Sequence, residues 1–287
     1  MRNDKCFFVP ELPEVETIRR GLEKYLVGKK IIAIEILDKK LKQSQPFHRF
    51  GGIVAAVRRF GKGLVIDLNN GFSIAAHIKM TGQFIYRGPE TKKTALSSFV
   101  DNLPSKHTRI IFKLDKNANL FFNDVRRFAW VKIVKTSEVE NLPFFKELGP
   151  EPFKDLTLKY FQNVLKKSNS PIKSLLMDQK KIGGVGNIYA NDALNLARID
   201  PRKKTSTFKV NEINKLFDAI HEVLKNGLKY GGATENNFVN ALGQSGKYQN
   251  HFLAYGRDGE KCYNCGGIIK KIRIAGRGTY FCPDCQK

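Results

Sequence analysis

The distribution of apolar and polar positions divides the chain into an N-terminal helix, a region of strands and a later helical region. Between Pro13 and Leu26, apolar residues recur every three or four positions, which is the spacing of an amphipathic helix. From Ile31 to Val134, short β-rich runs are separated by Gly, Asn and Asp, without a helix-length period between them. These runs include Ile31–Leu37, Leu64–Leu68, Phe72–Ile78, Thr108–Leu114 and Ala129–Val134. The pattern predicts an antiparallel β-sandwich rather than an alternating α/β sheet.

A helical pattern follows the segment Leu148–Pro152, which is predicted to be a linker. Asp155 is the expected N-cap of a helix that runs to Lys167. Asn211 is the expected N-cap of a longer helix that ends at Gly231-Gly232. Two shorter helices are predicted at Ile172–Met177 and Asn187–Ala197. The chain as a whole is therefore predicted to be an α+β multidomain protein.

Four of the five cysteines form two Cys-x2-Cys pairs near the C-terminus. They are Cys262, Cys265, Cys282 and Cys285. This spacing is typical of a structural zinc site with four thiolate ligands, in which a strand hairpin connects two tight turns. A module of about 25 residues lacks a core large enough to fold alone, so metal binding would supply its folding energy. We predict one structural Zn2+ in a C-terminal zinc-finger β-hairpin.

The charge balance points to a polyanionic partner. Lys and Arg number 50 against 27 Asp and Glu, which gives a formal net charge of +23. For an excess of this size, nucleic acid is the favoured partner and an anionic membrane surface comes second. No apolar run approaches the roughly 18–20 residues of a membrane span, and the apolar stretch Cys6–Val9 is too short for a signal peptide. We therefore expect a cytoplasmic protein.

The most specific chemistry lies in Pro10 and Glu11. If the chain began at Pro10, its nitrogen would be a free secondary amine with the carboxyl group of Glu11 beside it. An α-amino group has a pKa of about 8, so a useful fraction is uncharged and nucleophilic at neutral pH. Amines of this kind form covalent imine intermediates, and a neighbouring carboxylic acid can protonate the leaving group.

The opening Pro-Glu-Leu-Pro-Glu at residues 10–14 resembles the N-terminus of the formamidopyrimidine-DNA glycosylases, and the resemblance covers nearly all of Pro10–Lys287. Other matching blocks are Lys106–Thr108, Leu148–Pro152, Ile172–Gln179, Gly183–Asn191, Tyr255–Arg257 and Gly276–Thr279. The resemblance implies a catalytic β-sandwich domain over residues 10–147, a helix-two-turns-helix DNA-binding domain over 148–245 and a zinc finger over 246–287. The related endonuclease VIII branch typically begins Pro-Glu-Gly-Pro-Glu, so the opening block favours the formamidopyrimidine branch.

The resemblance implies a bifunctional glycosylase and lyase of base excision repair. Such an enzyme removes oxidised purines, namely 8-oxoguanine and formamidopyrimidines, from double-stranded DNA and nicks the strand by β,δ-elimination. In that scheme Pro10 attacks the sugar C1′ and forms an imine, and Glu11 is the proton donor for base loss. Lys62 is assigned the proton transfer of β-elimination and Arg277 that of δ-elimination.

The resemblance also assigns contacts with oxidised or abasic DNA. The expected phosphate contacts are His107, Arg126, Asn187 and Arg277. Lys173 lies in the matching helix-two-turns-helix segment and is expected to contact DNA as well. Enzymes that act on a base extrude it from the stack, and Met, Arg and Phe side chains suit the gap that remains. Met80, Arg126 and Phe128 occupy the matching positions for this role.

Three positions depart from the family pattern. Ala129 follows Phe128 where glycine is usual, and Asp192 stands where glutamate is common. Ser168-Asn169 falls where a basic pair often contacts DNA. These departures bear on the details of DNA contact rather than on the class.

Residues 1–9 match nothing in the family pattern. We expect the functional chain to begin at Pro10, with Val9 at the true initiator position, because a residue joined before Pro10 turns its nitrogen into an unreactive tertiary amide. If residues 1–9 are retained, the alternative is a lesion- or DNA-binding protein without catalysis. An endonuclease VIII-like glycosylase for oxidised pyrimidines and a zinc-ribbon nucleic-acid-binding factor are further alternatives. The expected protein is a nucleoid-associated bacterial monomer that does not bind membranes.

Overall fold

The structure is a computed structural model that describes residues 9–38, 41, 51–91, 100, 102–235 and 237–287. Its contacts divide these residues into two compact units. Among the described residues, the sheet unit combines residues 9–146 with Tyr230–Lys247, and the helical unit combines Glu147–Lys229 with Tyr248–Lys287. The three-domain division at residues 147 and 245 stays a prediction, and residues 1–8 of the expected extension lie outside the described residues.

The sheet unit begins with helix α1, Leu12–Leu26, as its apolar spacing predicts. Its strands are β1 Lys30–Ile36, β2 Gly52–Phe60, β3 Gly63–Leu68, β4 Phe72–His77, β5 Gly82–Arg87, β6 Thr108–Leu114, β7 Asn119–Asp124 and β8 Trp130–Lys135. They are antiparallel in the order β5-β7-β6-β1-β2-β3-β4-β8. β1 and β2 share only two register pairs, whereas the other neighbours share five or six, so the sheet divides into two halves of four strands.

Helix α1 packs against both halves of the sheet. It contacts β2 and β3 in one half and β5 in the other. Its large apolar side chains in the core are Leu12, Val15, Ile18, Leu22 and Leu26, each at most 1% exposed. Burying such side chains contributes about 1.5–3 kcal/mol apiece, so this face anchors the N-terminal segment of the chain on the sheet.

The helical unit carries the remaining elements, after a one-turn helix α2, Pro143–Lys146, that closes the sheet segment. Its elements are α3 Leu158–Lys166, α4 Ile172–Met177, α5 Asn187–Leu196, α6 Val210–Lys229, β9 Lys270–Ile274 and β10 Arg277–Phe281. Helix α5 lies against α6 on one side and against β10 on another. The predicted α+β class, with a helix-two-turns-helix region and a C-terminal hairpin, is therefore confirmed. Among the described residues, no helix combines the length and apolar character needed to cross a bilayer.

Both predicted N-caps of the long helices are wrong. Thr157 caps α3, because its Oγ1 accepts a hydrogen bond from Tyr160 N at 3.1 Å. Asp155 instead accepts from Glu151 N at 2.6 Å, within the preceding turn. Helix α6 begins at Val210, so Asn211 lies inside its first turn rather than before it.

Candidate functional site

Pro10 and Glu11 lie at the start of α1 in the sheet unit, and both are buried. Glu11 is the N-cap residue, and its backbone N–H donates to Glu14 Oε2 at 2.8 Å. The second oxygen of Glu14, Oε1, accepts from Ala233 N at 2.8 Å. Glu14 is 0% exposed, so one buried carboxylate ties the backbone of Glu11 to the segment Tyr230–Lys247. The candidate nucleophile and proton donor therefore occupy a defined position at the positive end of the helix.

Lys62 occupies the tight turn between β2 and β3. Gly61 has φ +55°, and a Cβ on Gly63 would lie 2.5 Å from Phe145 Cε1, so the turn requires glycine on both sides of the lysine. Lys62 is half-buried there, and its charge acts on His77 at the end of β4. Burial, together with the positive charges of Lys79 and Lys62, lowers the pKa of His77 to about 3.

Met80, Arg126 and Phe128 form one cluster, as their proposed common role requires. Arg126 Nη1 lies 3.4 Å from Met80 Sδ, and its guanidinium lies 4.8 Å from the centroid of the Phe128 ring. Phe128 is 54% exposed, although it is a large apolar residue. An exposed aromatic ring beside an arginine and a methionine is suited to contact a stacked or unstacked base.

A buried network fixes this cluster on the sheet. Thr81 Oγ1 donates to Asp124 Oδ1 and accepts from Arg126 N at 3.0 Å. Asp124 Oδ2 accepts from Ala129 N at 2.9 Å. Asp124 therefore anchors the backbone of Ala129, the residue that stands where the family pattern has glycine. The loop between β7 and β8 is held at both ends, which gives Arg126 and Phe128 a defined placement.

Arg109 is a functional candidate that the sequence analysis missed. It is 8% exposed, and its Nε donates to the carbonyl oxygen of Asp124 at 2.8 Å while Nη1 donates to that of Lys106 at 3.4 Å. One guanidinium thus links the loop that carries His107 to the loop that carries Arg126. Partial burial and the charges of Lys106 and Arg109 lower the pKa of His107. An arginine directly before the apolar run Ile110–Phe112 of strand β6 is the signal that could have revealed this link.

In the helical unit, Asn187 is the first residue of α5 and follows a glycine-rich turn. Gln179 supports this turn, since its Oε1 accepts from Gly184 N at 3.0 Å and its Nε2 donates to Val185 O at 2.6 Å. Gly184 has φ +93°, which a residue with a side chain rarely adopts. The half-buried Asn187 is therefore placed where backbone N–H groups and the helix dipole favour a phosphate.

Lys173 lies inside the helical unit rather than on a surface that a DNA backbone could reach directly. It is 1% exposed, and its Nζ donates to Gly278 O at 2.7 Å, to Thr279 Oγ1 at 2.8 Å and to Asn191 Oδ1 at 3.3 Å. The ammonium group has three protons, and three internal acceptors are present. This geometry favours an indirect part for Lys173, in which it holds the hairpin that carries Arg277. A direct contact with DNA stays a prediction.

Arg277 follows the two-residue turn of the β9–β10 hairpin. Ala275 and Gly276 have φ values of +46° and +74°, the positive pair that a tight hairpin turn requires. Arg277 pairs with Ile274 across the hairpin and is exposed. Its side chain is therefore presented at the edge of the ribbon, as a phosphate contact requires.

The four predicted zinc ligands converge in the helical unit. The Sγ atoms of Cys262, Cys265, Cys282 and Cys285 all lie within 4.8 Å of one another. Cys262 Sγ lies 3.8 Å from Cys285 Sγ, and Cys265 Sγ lies 3.5 Å from Cys282 Sγ. A tetrahedral Zn2+ with bonds of about 2.3 Å to sulfur requires sulfur–sulfur separations of about 3.8 Å. The donor set and its spacing fit one structural zinc ion.

Three family models match successive parts of the chain. The formamidopyrimidine-DNA glycosylase N-terminal domain matches residues 9–131, and the H2TH domain of the same family matches residues 148–239. The zinc finger found in FPG and IleRS matches residues 259–287. The succession of an antiparallel sheet domain, a helix-two-turns-helix module and a four-cysteine zinc ribbon identifies the class of protein as a DNA glycosylase. The chain belongs to the formamidopyrimidine-DNA glycosylase family, which confirms the predicted resemblance.

Relatives of this name match the chain over almost its whole length. The formamidopyrimidine-DNA glycosylases of Pelotomaculum thermopropionicum and Streptococcus mutans are each 38% identical to it over 285 residues, covering 97% of this chain and 99–100% of theirs. The Lactococcus lactis enzyme bound to DNA with an abasic site has a TM-score of 0.84 at 36% identity, covering 96% of this chain and 99% of its own. A variant of that enzyme bound to DNA containing Fapy-dG also has a TM-score of 0.84, covering 97% and 100% of the two chains.

Proposed function

We propose that this protein is a bifunctional DNA glycosylase and AP lyase of base excision repair, which removes 8-oxoguanine and formamidopyrimidines from double-stranded DNA. The observation that carries the proposal is the Pro10-Glu11 pair, fixed by Glu14 at the start of α1 in a chain of this family. The related Lactococcus lactis enzyme, solved with DNA containing Fapy-dG or an abasic site, supports the substrate class. A formal net charge of +23 supports a DNA partner.

In the proposed reaction, the lone pair of Pro10 nitrogen forms a bond to C1′ as the bond from C1′ to the damaged base breaks. The base leaves with the electron pair of that bond, and Glu11 supplies the proton it takes up. Loss of the proton on nitrogen and opening of the sugar ring give an imine between Pro10 and DNA. Removal of a proton from C2′ then expels the 3′-phosphate, with Lys62 assigned to this proton transfer. A second elimination, the δ-elimination, follows. The imine is then hydrolysed.

For Arg277, binding of a phosphate is the physically preferred role. A guanidinium presents a planar fork of N–H donors that matches two phosphate oxygens at once. His107, Arg126 and Asn187 are the other proposed phosphate contacts, and Met80, Arg126 and Phe128 are proposed to fill the gap left by the extruded nucleotide. The zinc ion would hold the hairpin in place through its four cysteines and would take no part in the reaction.

The proposed reaction requires Pro10 to be the first residue of the active chain. A peptide bond to Val9 removes the free lone pair on nitrogen, so a chain that keeps residues 1–9 can bind lesions but cannot form the imine. The start of the family match at residue 9 supports this assignment. We further propose that the active protein is a cytoplasmic monomer associated with the nucleoid.

Borohydride trapping tests the proposal directly. Protein with a sequenced N-terminus is incubated with an 8-oxoguanine duplex and borohydride, which reduces the imine to a stable covalent adduct. We expect an adduct with protein that starts at Pro10 and none with the same chain when it keeps residues 1–9. A chain that starts at Met1 and still forms the adduct would refute Pro10 as the nucleophile. Trapping on an oxidised pyrimidine duplex alone would instead favour the endonuclease VIII-like alternative.

A further inference from the structure

Three asparagines on α5 are spaced by four residues and therefore lie along one face of the helix. They are Asn187, Asn191 and Asn195, and are called here the asparagine row. Asn191 Nδ2 donates to Asn187 O at 2.6 Å, and Asn191 Oδ1 accepts from Tyr280 N at 2.8 Å. The zinc ribbon thus contacts the row at its middle residue. The last residue of the row, Asn195, is 1% exposed and has no part in the proposed reaction.

Asn195 contacts the first Cys-x2-Cys turn directly and reaches the second through Gln286. Its Nδ2 donates to Gln286 Oε1 at 3.0 Å and lies 4.0 Å from Cys262 Sγ, at the upper limit of the hydrogen-bonding range for sulfur. In return, Asn264 Nδ2 donates to Asn195 O at 3.1 Å and to its Oδ1 at 3.2 Å. Gln286 Oε1 also accepts from Cys282 N at 2.8 Å. One buried side chain on α5 therefore connects the turn at 262–265 with the turn at 282–285.

We propose that Asn195 is a positioning residue of the zinc centre, which fixes both cysteine turns and donates a hydrogen bond to the Cys262 sulfur. A thiolate that binds zinc carries negative charge, so an N–H donor aimed at it stabilises the metal-bound form. The donor is buried, where the local dielectric constant is low and such a bond is stronger than in water.

The proposal also explains why the contact is made by an amide rather than by an apolar side chain. Asn195 offers two N–H groups, which match the two acceptors Gln286 Oε1 and Cys262 Sγ. Its Oδ1 and its backbone oxygen both accept hydrogen bonds from Asn264 Nδ2. Since partners around metal ligands typically change metal affinity by about 10–100-fold, Asn195 should control how long zinc is retained.

Two substitutions separate hydrogen bonding from packing. Asn195→Asp keeps the size of the side chain but replaces the two donors by a negatively charged oxygen beside the thiolate. Asn195→Leu keeps an apolar group of similar volume without donors. Asn211→Asp is the matched control, because Asn211 is an exposed asparagine on α6 of the same unit.

The measurement is the rate at which zinc passes from the purified full chain to a chromogenic chelator. We expect release about tenfold faster from Asn195→Leu and faster still from Asn195→Asp, with the control at the wild-type rate. Wild-type release from Asn195→Asp would overturn the proposal. No DNA is present, so this result is independent of whether the protein is a glycosylase.

A spectroscopic measurement on the wild-type chain covers the case in which the variants fail to fold. In cadmium-substituted protein, a hydrogen bond from Asn195 to the metal-bound sulfur couples the side-chain amide proton to the cadmium nucleus. We expect this coupling between an Asn195 Hδ2 proton and cadmium. A well-resolved Asn195 amide without such coupling would contradict the proposed hydrogen bond.

Discussion

The guanidinium of Arg126 lies 4.8 Å from the centroid of the Phe128 ring, and the backbone nitrogen of Arg126 is held by Thr81. The two side chains are thus presented together on a loop whose backbone is anchored to buried Asp124. Arg127, between them, has φ +58°, a left-handed backbone conformation that residues with side chains rarely adopt. We therefore expect the side chains of Arg126 and Phe128 to act in lesion recognition rather than in non-specific binding to DNA.

We expect Arg126→Ala to weaken binding to a lesion duplex by at least about tenfold, since a hydrogen bond between a charged side chain and DNA contributes about 1.5–3 kcal/mol. Binding to undamaged duplex should change much less, because the proposed place of the side chain exists only after a nucleotide is extruded. Fluorescence anisotropy with both duplexes measures the two affinities. Arg127→Ala is the control for the loss of one positive charge in the same loop. Equal losses for both duplexes would count against this placement.

For Lys173, we expect the substitution Lys173→Met to loosen the hairpin at residues 277–281. Methionine keeps the apolar stem but removes the ammonium that donates to Gly278 O and Thr279 Oγ1, at a cost of about 1–3 kcal/mol for each group left unsatisfied, whereas Asn191 Oδ1 keeps its bond from Tyr280 N. Hydrogen exchange of the hairpin amides should become faster, while Lys270→Met, an exposed change on β9, should leave it unaltered. The opposite result would be unchanged exchange together with a salt dependence of DNA binding whose slope is smaller by about 1. That result would instead indicate a direct contact between Lys173 and a DNA phosphate.

The buried ring of His77 predicts a pH dependence of folding. Its pKa is about 3 in the folded protein and about 6.5 when exposed, so below pH 6.5 the unfolded chain binds a proton that the folded chain excludes. Stability should therefore fall as the pH drops from 6.5 toward 3. Between pH 7 and pH 5 the loss from this residue is about 2 kcal/mol.

Fluorescence of Trp130, the only tryptophan in the chain, reports this transition in the sheet unit. Its ring centroid lies 6.4 Å from that of His77. In His77→Asn, an amide oxygen can still accept from Lys79 N, and the extra loss of stability between pH 7 and pH 5 should disappear. His251→Asn, at an exposed histidine of the other unit, should keep it. A wild-type profile in His77→Asn would exclude His77 as the source.

The charge of the chain predicts a steep dependence of DNA binding on salt. Neutralising about five phosphates gives a slope of roughly −4.5 in a plot of log affinity against log salt concentration. Titration of an undamaged duplex over a range of salt concentrations measures this slope. A nearly flat titration would be inconsistent with phosphate contacts as the main source of affinity.

Local patterns in the sequence were sufficient for much of the fold. Helix α1 and the zinc ligands follow from spacing alone, because the helical period and the Cys-x2-Cys turn are properties of neighbouring residues. The N-cap of α3 was misplaced because Asp155 and Thr157 both suit a cap, and only the three-dimensional turn decides that Asp155 bonds to Glu151.

Contacts between segments that lie far apart in the chain could not be predicted from the sequence. Arg109 joins the loops of Lys106 and Asp124 across two strands, and nothing in the local sequence specifies its acceptors. Lys173 was assigned to DNA from its motif, whereas its three acceptors include residues more than a hundred positions away. Family resemblance locates such residues in the chain, but the contacts made by the side chain distinguish direct from indirect roles.

The sheet unit is interrupted in sequence, since Tyr230–Lys247 belongs to it although residues 147–229 do not. This late segment supplies Ala233 N to Glu14, Asn237 O to Gln83 and Ala241 O to Tyr86 N. During synthesis on the ribosome, the helices of the other unit emerge before these bonds can form. A nascent chain stopped at Lys146 has Pro10 and Glu11 but lacks Ala233, whose backbone nitrogen donates to Glu14 Oε1 in the complete fold. Completion of the region around Pro10 thus depends on synthesis of the chain at least as far as Ala233.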